Sequence, residues 1–390
     1  MQSNIFFIKL KDYYRKLTVP QFTIITGLII ILFGTLVLSS PLCSSSKVGI
    51  WEAFFTSTSA ITVTGLTVID IGEDLTVLGQ IFLAFMLLSG GLGLMAITTF
   101  LQGFVVKGAK LRIRLDKGKT LDEFGVGGIG RTFQSIAITA ASIISIGSFI
   151  LYFFGFIDIS NNWERLWASV FHSISAYNNA GFSVWSSSMY KYRSNFVVNI
   201  VFICLIILGG IGWRVIDDIW NNRKNISYRR LSLHSQLVLR TTFYLIIFGS
   251  FGFLVTESLL NGQFFAGLNF GERILSALFE TVSARTAGFT NYQISLNTIS
   301  DTGLLLLMTL MFIGASTGGT GGGIKTTTFI ALMAATRSTL RGQKDVVISN
   351  RLISDKVILK AVGITVGSLL FVLLMAMLLS TTNTFINREK

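Results

Sequence analysis

The sequence predicts an all-α polytopic membrane protein made of tandem span, pore-loop, span repeats around a central pore, three complete and a fourth begun. Three observations predict it. Of 390 residues, 51% are hydrophobic and only 13% charged, and the mean hydropathy of +0.66 is far above that of a soluble domain. Uncharged runs such as 22–38 and 363–379 match a hydrocarbon core of about 30 Å at about 1.5 Å per helical residue. The third observation is an internal repeat.

Aligning the chain on Gly65 brings Gly181 and Gly288 to the same place, in Ala60-Ile-Thr-Val-Thr-Gly-Leu66, Ala176-Tyr-Asn-Asn-Ala-Gly-Phe182 and Ser283-Ala-Arg-Thr-Ala-Gly-Phe289. The flanks agree. Fourteen residues before the glycine stand Trp51, Trp167 and Ile274, ten before stand Phe55, Phe171 and Leu278, and a bulky apolar residue follows it. Each unit then reads as a long apolar span, an amphipathic segment too short to cross, an extended glycine strand and a second span. Non-helical backbone at membrane depth is tolerated only where protein buries it or it lines water, so the short segment and its strand form a re-entrant loop.

In chain order, residues 1–20 are an N-terminal cytoplasmic segment, and the apolar stretch after them is too long for a cleaved signal, so it is a retained first span. The first unit covers 21–106, with spans at 21–39 and 77–104 and a half-helix at 51–61. A basic linker, 107–131, leads to the second unit at 132–213, with spans at 132–157 and 195–213 and a half-helix at 165–177. Another basic linker, 214–236, precedes the third unit at 237–336, with spans at 237–260 and 302–336 and a half-helix at 272–284. The inner spans share glycines, Gly90, Gly91 and Gly93 against Gly209, Gly210 and Gly212, which read as sites of close helix packing. The third inner span differs. Gly314-Ala-Ser-Thr-Gly-Gly-Thr-Gly-Gly-Gly-Ile-Lys325 has too many glycines and hydroxyls for regular helix, so a broken helix is expected, placed as a movable constriction under the pore loops. A linker, 337–356, leads to 357–390, the first span of a fourth unit. The glycines are 116 and then 107 residues apart, so a fourth is expected at roughly 395 to 404, and the chain reads as a shortened version of a four-unit protein.

The net charge of +13 would suggest nucleic acid in a soluble protein, but its placement says otherwise. It falls in four clusters: Lys9, Lys11, Arg15 and Lys16; Lys107, Lys110, Arg112, Arg114, Lys117 and Lys119; Arg214, Arg223, Lys224, Arg229 and Arg230; and Arg337, Arg341, Lys344, Arg351, Lys356 and Lys360. The loops between them carry few bases, which makes the clusters and the N-terminus cytoplasmic in a cell membrane. No aromatic-interleaved basic motif accompanies them, so no nucleic-acid partner is expected.

An alkali cation crossing a membrane exchanges its water shell for other oxygens, and backbone carbonyls supply these without fixed charge. The expected filter lining is Thr62, Val63, Thr64 and Gly65; Asn178, Asn179, Ala180 and Gly181; and Arg285, Thr286, Ala287 and Gly288. Glycine allows the positive φ that such a strand needs, and the half-helix C-termini turn partial negative charge toward the cation. Arg285 would repel a cation it faced, so its side chain is expected to turn away, toward Glu280. Glu52 and Glu280 read as anchors of the filter rather than proton relays.

The segments TVTGL at 62–66, NNAGF at 178–182, ARTAGF at 284–289 and GASTGGTGGGIK at 314–325 together resemble the Trk/Ktr/HKT superfamily of potassium transporters, most closely its Ktr-type membrane subunits. The likeness covers nearly the whole chain. It implies potassium uptake, often sodium-assisted, through four pore units around one axis. It identifies Gly314, Ala315, Ser316, Thr317, Gly318, Gly319, Thr320, Gly321, Gly322, Gly323 and Lys325 as a gating loop. It further implies a homodimer in membrane lipid, seated on a cytoplasmic nucleotide-binding regulatory ring. The sequence departs from that pattern in lacking the fourth loop and final inner helix, and with them the basic residue that faces the gating loop. The alternative reading is therefore a non-transporting membrane scaffold, or a fragment completed by another chain.

Other signals are set aside. Gly125-Val-Gly-Gly-Ile-Gly130 has dinucleotide-binding spacing without the preceding strand or later acid, and 318–326 fails as a phosphate loop because Ile324 separates glycine from lysine. His172 and His234 lack partner carboxylates or cysteines, and no acid, base and nucleophile converge, so no enzyme activity or covalent cofactor is expected. Cys43 and Cys204 read as packing residues.

Overall fold

A computed structural model describes residues 19–45, 48–93, 126–223, 228–260, 263–292, 298–343, 345–349 and 351–388. The basic runs at 9–16 and 107–119 lie outside the described residues. The described residues are mostly helical: α1 Val19–Leu38, α2 Ile50–Thr62, α3 Val77–Gly93, α4 Val126–Ile150 with a π-helical turn Leu151–Gly155, α5 Asn162–Tyr177, α6 Phe196–Ile211, α7 Trp213–Asn221, α8 Leu233–Leu260, α9 Phe270–Ala284, α10 Asp301–Phe312, α11 Thr326–Leu340 and α12 Asp355–Arg388. A two-residue hairpin, Val347–Ile348 against Arg351–Leu352, separates the last two helices.

Each long first span packs on the short helix of its own unit, α1 on α2, α4 on α5 and α8 on α9. The short helices α5 and α9 also flank α6, which joins the second unit to the third. The outward faces are apolar, with Ile24, Leu28, Leu32 and Leu36 exposed on α1 and Phe243, Phe248 and Phe251 on α8. Stripes of this kind suit lipid rather than water, and the chain is an integral membrane protein. Cys43 is buried, whereas Cys204 lies on the exposed face of α6 instead of packing inside.

Caps upstream of the apolar pattern set where the short helices start. The Glu52 carboxylate accepts the Gly49 N–H at 2.8 Å, and Glu272 accepts that of Asn269 at 2.9 Å, each a first-turn acid at the positive end of the helix. Asn161 does the same work on α5 by accepting from the Trp163 N–H at 3.0 Å. Glu52 therefore caps a helix start and does not reach the glycine strand, contrary to the expected anchoring role. The third unit is closed by a buried carboxylate: Glu257 on α8 accepts the Ser300 hydroxyl at 2.6 Å and its N–H at 3.1 Å, fixing the first turn of α10.

The second inner span is not a straight helix. It breaks at Gly212, whose φ is +89°, and α6 and α7 meet at 93°. The sequence reading of Gly212 as a packing glycine is corrected here: a Cβ at this position would meet the Gly318 backbone at 2.8 Å, so the residue makes room for the interrupted third span.

In the loop between α4 and α5, Asp158 pairs with Lys191 at 2.5 Å and accepts the Tyr192 hydroxyl at 2.9 Å. Burial pushes this carboxyl up, but the hydrogen bonds from Lys191 and Tyr192 and the lysine charge outweigh it and hold the group below its ordinary value of 3.8. A depressed folded value stabilises the fold fully above the ordinary one, and that contribution is lost as pH falls through the folded value. Asp158→Asn is therefore expected to lower the melting temperature at pH 7 and to leave it equal to wild type once the wild-type carboxyl is protonated, measured by unfolding scans across pH.

Candidate functional site: three glycine strands and an interrupted span

The three short helices end in the same backbone sequence of conformations. Val63, Asn179 and Thr286 have φ of 55°, 55° and 74°, and the glycines two residues later, Gly65, Gly181 and Gly288, have φ of 84°, 72° and 82°. Left-handed backbone at valine and threonine is strained, and strain of this sort persists where surrounding structure over-determines it, typically at functional sites. The helix ends supply that constraint. Thr64 N–H donates to Ser59 O at 2.9 Å, Ala180 N–H to Ser175 O at 2.9 Å and Ala287 N–H to Ser283 O at 2.8 Å, in the manner of a C-terminal cap. The amides are thereby used up on the helix side. Among the described residues, the carbonyl oxygens of Val63, Thr64, Ala180 and Ala287 accept no hydrogen bond.

Those strands meet. A Cβ on Gly65 would lie 2.4 Å from Ala180 O and 3.3 Å from Gly181 Cα; one on Gly181 would lie 2.7 Å from Ala287 O and 2.9 Å from Gly288 Cα; one on Gly288 would lie 3.3 Å from Gly181 Cα and 3.9 Å from Thr64 O. Three glycines over 100 residues apart in sequence thus pack around one point with unpaired carbonyls beside them. Phe182 and Phe289, each 1% exposed, wedge the second and third strands into the core, Phe289 edge-on to Phe202 at 5.0 Å. Leu66, at the matching place, is 60% exposed. In the first strand, Thr62 and Thr64 share a hydroxyl hydrogen bond of 2.7 Å. In the second, Asn178 Nδ2 donates back to Ile174 O at 2.8 Å.

Arg285 corrects one sequence expectation. Its guanidinium Nη2 donates to Gly314 O at 3.1 Å rather than reaching Glu280, because it continues the line of α9 toward the interrupted span. Glu280 serves the strand's far side, accepting the Asn291 N–H at 2.9 Å. Asn291, Ser276 and Asn199 extend that support. The sequence reading did not single these three out, since lone polar residues in apolar surroundings carry no repeat signal.

Helix is absent between Phe312 and Thr326, and the backbone there folds on itself through Ala315 N–H to Gly322 O at 3.1 Å and Ile324 N–H to Phe312 O at 2.9 Å. Gly318 and Gly323 have φ of 87° and 71°. The segment docks on the broken second span, with Ser316 N–H to Gly210 O at 2.9 Å, Thr320 N–H to Gly209 O at 3.1 Å and Trp213 N–H to Gly318 O at 3.3 Å. It also docks on the strands: Asn179 Nδ2 donates to Thr320 Oγ1 at 2.7 Å, the Thr320 hydroxyl donates to Tyr177 O at 3.0 Å, and Gly322 N–H donates to Thr286 Oγ1 at 3.1 Å. Gly319 and Gly321 are small for a reason, since a Cβ would meet Gly210 O at 2.4 Å and Thr286 Oγ1 at 2.5 Å. Thr317 bonds Thr327 at 3.0 Å, Ser316 accepts from Thr326 at 2.8 Å, and the Lys325 ammonium turns back onto Gly321 O at 2.6 Å. His172 is structural: its Nδ1–H donates to Ala168 O at 2.7 Å, so Nε2 accepts from Ser183 at 3.1 Å.

A family model described as TrkH, cation transport protein, matches residues 11–387. The Ktr system potassium uptake protein B of Bacillus subtilis is 33% identical over 360 residues, covering 92% of this chain and 79% of that protein. The protein of the same name from Vibrio alginolyticus is 34% identical over 357 residues, covering 90% and 76%. Potassium/sodium uptake protein NtpJ of Enterococcus hirae is 32% identical over 378 residues, covering 96% and 82%. Among solved structures, the potassium transporter TrkH from Vibrio parahaemolyticus has the same fold, with a TM-score of 0.69 and 20% identity over 92% of this chain and 71% of that one. A match over nearly the full sequence, relatives at a third identity and a shared fold lead to one conclusion: this chain belongs to the TrkH family of cation transport proteins, a transporter family and not an enzyme family.

Proposed function

We propose that the chain is the membrane-translocating subunit of a potassium uptake system of the Ktr type. The observation that carries this reading is the convergence of Gly65, Gly181 and Gly288 with the unpaired carbonyls of Thr64, Ala180 and Ala287 beside them. Carbonyl oxygens held this way replace the hydration shell of an alkali cation. In this reading residues 62–65, 178–181 and 285–288 are the selectivity filter of the pore units, and 314–325 is the gating loop next to it. Arg285 is compatible with a cation path because its guanidinium reaches Gly314 O of the interrupted span.

Finer points follow from the same reading. The Enterococcus hirae relative is named for both potassium and sodium, which supports a sodium-assisted cycle. The relatives named for a Ktr system support assembly with further components, here a homodimer on a nucleotide-binding ring. Arg214, Arg223, Arg337 and Arg341 follow the strand-bearing parts of their units, which under the positive-inside rule supports a cytoplasmic N-terminus. The test is rubidium uptake into proteoliposomes holding the full chain. Uptake well above protein-free vesicles and competed by potassium is expected, whereas uptake at the protein-free level refutes the reading.

A further inference from the structure

We propose that Asn179 and Arg285 hold a single buried water between them, and that this bridged pair is the latch that keeps the 313–325 segment docked on the glycine strands. The inference rests on the reading of those strands as an ion path, and it names what holds the path's loop in place.

The two residues grip opposite limbs of the segment. Arg285 Nη2 holds the first limb at Gly314 O, 3.1 Å away. Asn179 Nδ2 holds the second at Thr320 Oγ1, 2.7 Å away. The orientation of the Asn179 amide is settled by its partner: the Thr320 hydroxyl spends its proton on Tyr177 O at 3.0 Å, so it accepts from the amide, and the side facing it is the NH2. Asn179 Oδ1 therefore points elsewhere.

Both residues line a cavity of ≈ 10 Å³, together with Gly210, Ala315, Ile206 and Val282. That is about the least space that holds one water molecule. Each of the two residues also carries a polar atom that is left unmatched. Asn179 Oδ1, on a residue 1% exposed, and Arg285 Nε, on a residue 8% exposed, have no hydrogen-bond partner among the described residues. Buried polar atoms of this kind are nearly always satisfied by something. One is an acceptor and the other a charged donor. An anion would suit the guanidinium and be repelled by the amide oxygen; a cation would suit the oxygen and be repelled by the guanidinium. Water alone satisfies both, accepting from Arg285 Nε and donating to Asn179 Oδ1.

The bridge makes the two grips one device. Asn179 sits at φ 55°, and the residue after Arg285, Thr286, at φ 74°, so relaxation of either strand would misplace a latch residue and release both limbs of the loop. These are positioning residues: their side chains act on the loop, at Gly314 O and the Thr320 hydroxyl, and not on an ion.

Hydrogen–deuterium exchange of the full chain in lipid nanodiscs tests this. In Asn179→Ala and in Arg285→Gln, amides of 314–323 are expected to exchange about tenfold faster than in wild type, while α4 and α6 keep their protection. The double variant is expected to exchange faster than either single variant but short of the product of the two effects, because the bonds to Gly314 O and Thr320 Oγ1 are lost separately whereas the shared bridge is lost only once. Unchanged exchange in the single variants overturns the latch, and a double variant showing the product of the two single effects, about a hundredfold, overturns the bridge. If Arg285→Gln also exposes the helices, Asn179→Ser and Arg285→Lys are judged by the same outcomes, the lysine restoring part of the protection through Gly314 O alone. The readout needs no transport. A chain that carries no rubidium yet shows this exchange pattern refutes the transport reading and leaves the latch, and a transporting chain with unaltered exchange does the reverse.

Discussion

Gly181→Ala is expected to reduce rubidium uptake by at least about tenfold, the kinetic equivalent of about 1.4 kcal/mol, while the helical content stays unchanged. Two effects act in the same direction. Alanine at φ 72° pays a left-handed backbone cost of about 1–2 kcal/mol. Its methyl would also lie 2.7 Å from Ala287 O and 2.9 Å from Gly288 Cα, backbone atoms that have no rotamer to retreat into. The second strand is the one that both neighbours touch, so its displacement moves the carbonyls of all three. Uptake at the wild-type rate in this variant would show that ions do not pass through the glycine cluster.

Gly209→Ala is expected to lower the stability of the fold by about 3 kcal/mol, within the range for overpacking against atoms that cannot move aside. In an ordinary helix interior the same change gains about 0.5–1 kcal/mol, so the predicted sign is reversed. The reason is contact: a Cβ on Gly209 would sit 1.8 Å from Tyr177 O, forcing α6 away from the end of α5. Gly209 O and Gly210 O would move with it, and these carbonyls receive Thr320 N–H and Ser316 N–H from the interrupted span. Gly93→Ala is the control, since its methyl meets none of the described residues within 4 Å. Unfolding scans in detergent should separate the two variants clearly; equal stability would mean that α6 and α5 are not in the contact described.

Much of the fold was legible because it repeats. Three glycines in register, with bulky residues ten and fourteen positions ahead, located α2, α5 and α9 to within three residues. The shortfall at their starts came from caps such as Asn161 and Asn269, which lie outside the apolar pattern that signals a helix. The interruption between Phe312 and Thr326 was legible too, since no helix tolerates that density of glycine.

Contacts between units were harder to read. Nothing local distinguishes Gly212, which breaks its helix, from Gly93, whose added methyl would meet none of the described residues within 4 Å; only the approach of Gly318 separates them. The direction of Arg285 was misjudged for a related reason. A carboxylate five residues earlier looked like its natural partner, but Glu280 accepts the Asn291 N–H, and the guanidinium instead donates to a carbonyl from a segment 29 residues on. Pairing by charge alone failed where the broken span exposes backbone oxygens that a regular helix would have used. The Asn179–Thr320 bond, 141 residues apart, was not legible as a pair: the sequence places one residue on a pore strand and the other in the interrupted span, but nothing in it joins their side chains.

The central claim is that a monovalent cation rests where the three glycine strands meet. Anomalous diffraction from crystals grown in rubidium tests it most directly. A rubidium peak within about 3 Å of Thr64 O, Ala180 O and Ala287 O is the predicted result; a well-occupied rubidium site elsewhere in the chain, with none beside those oxygens, would contradict it.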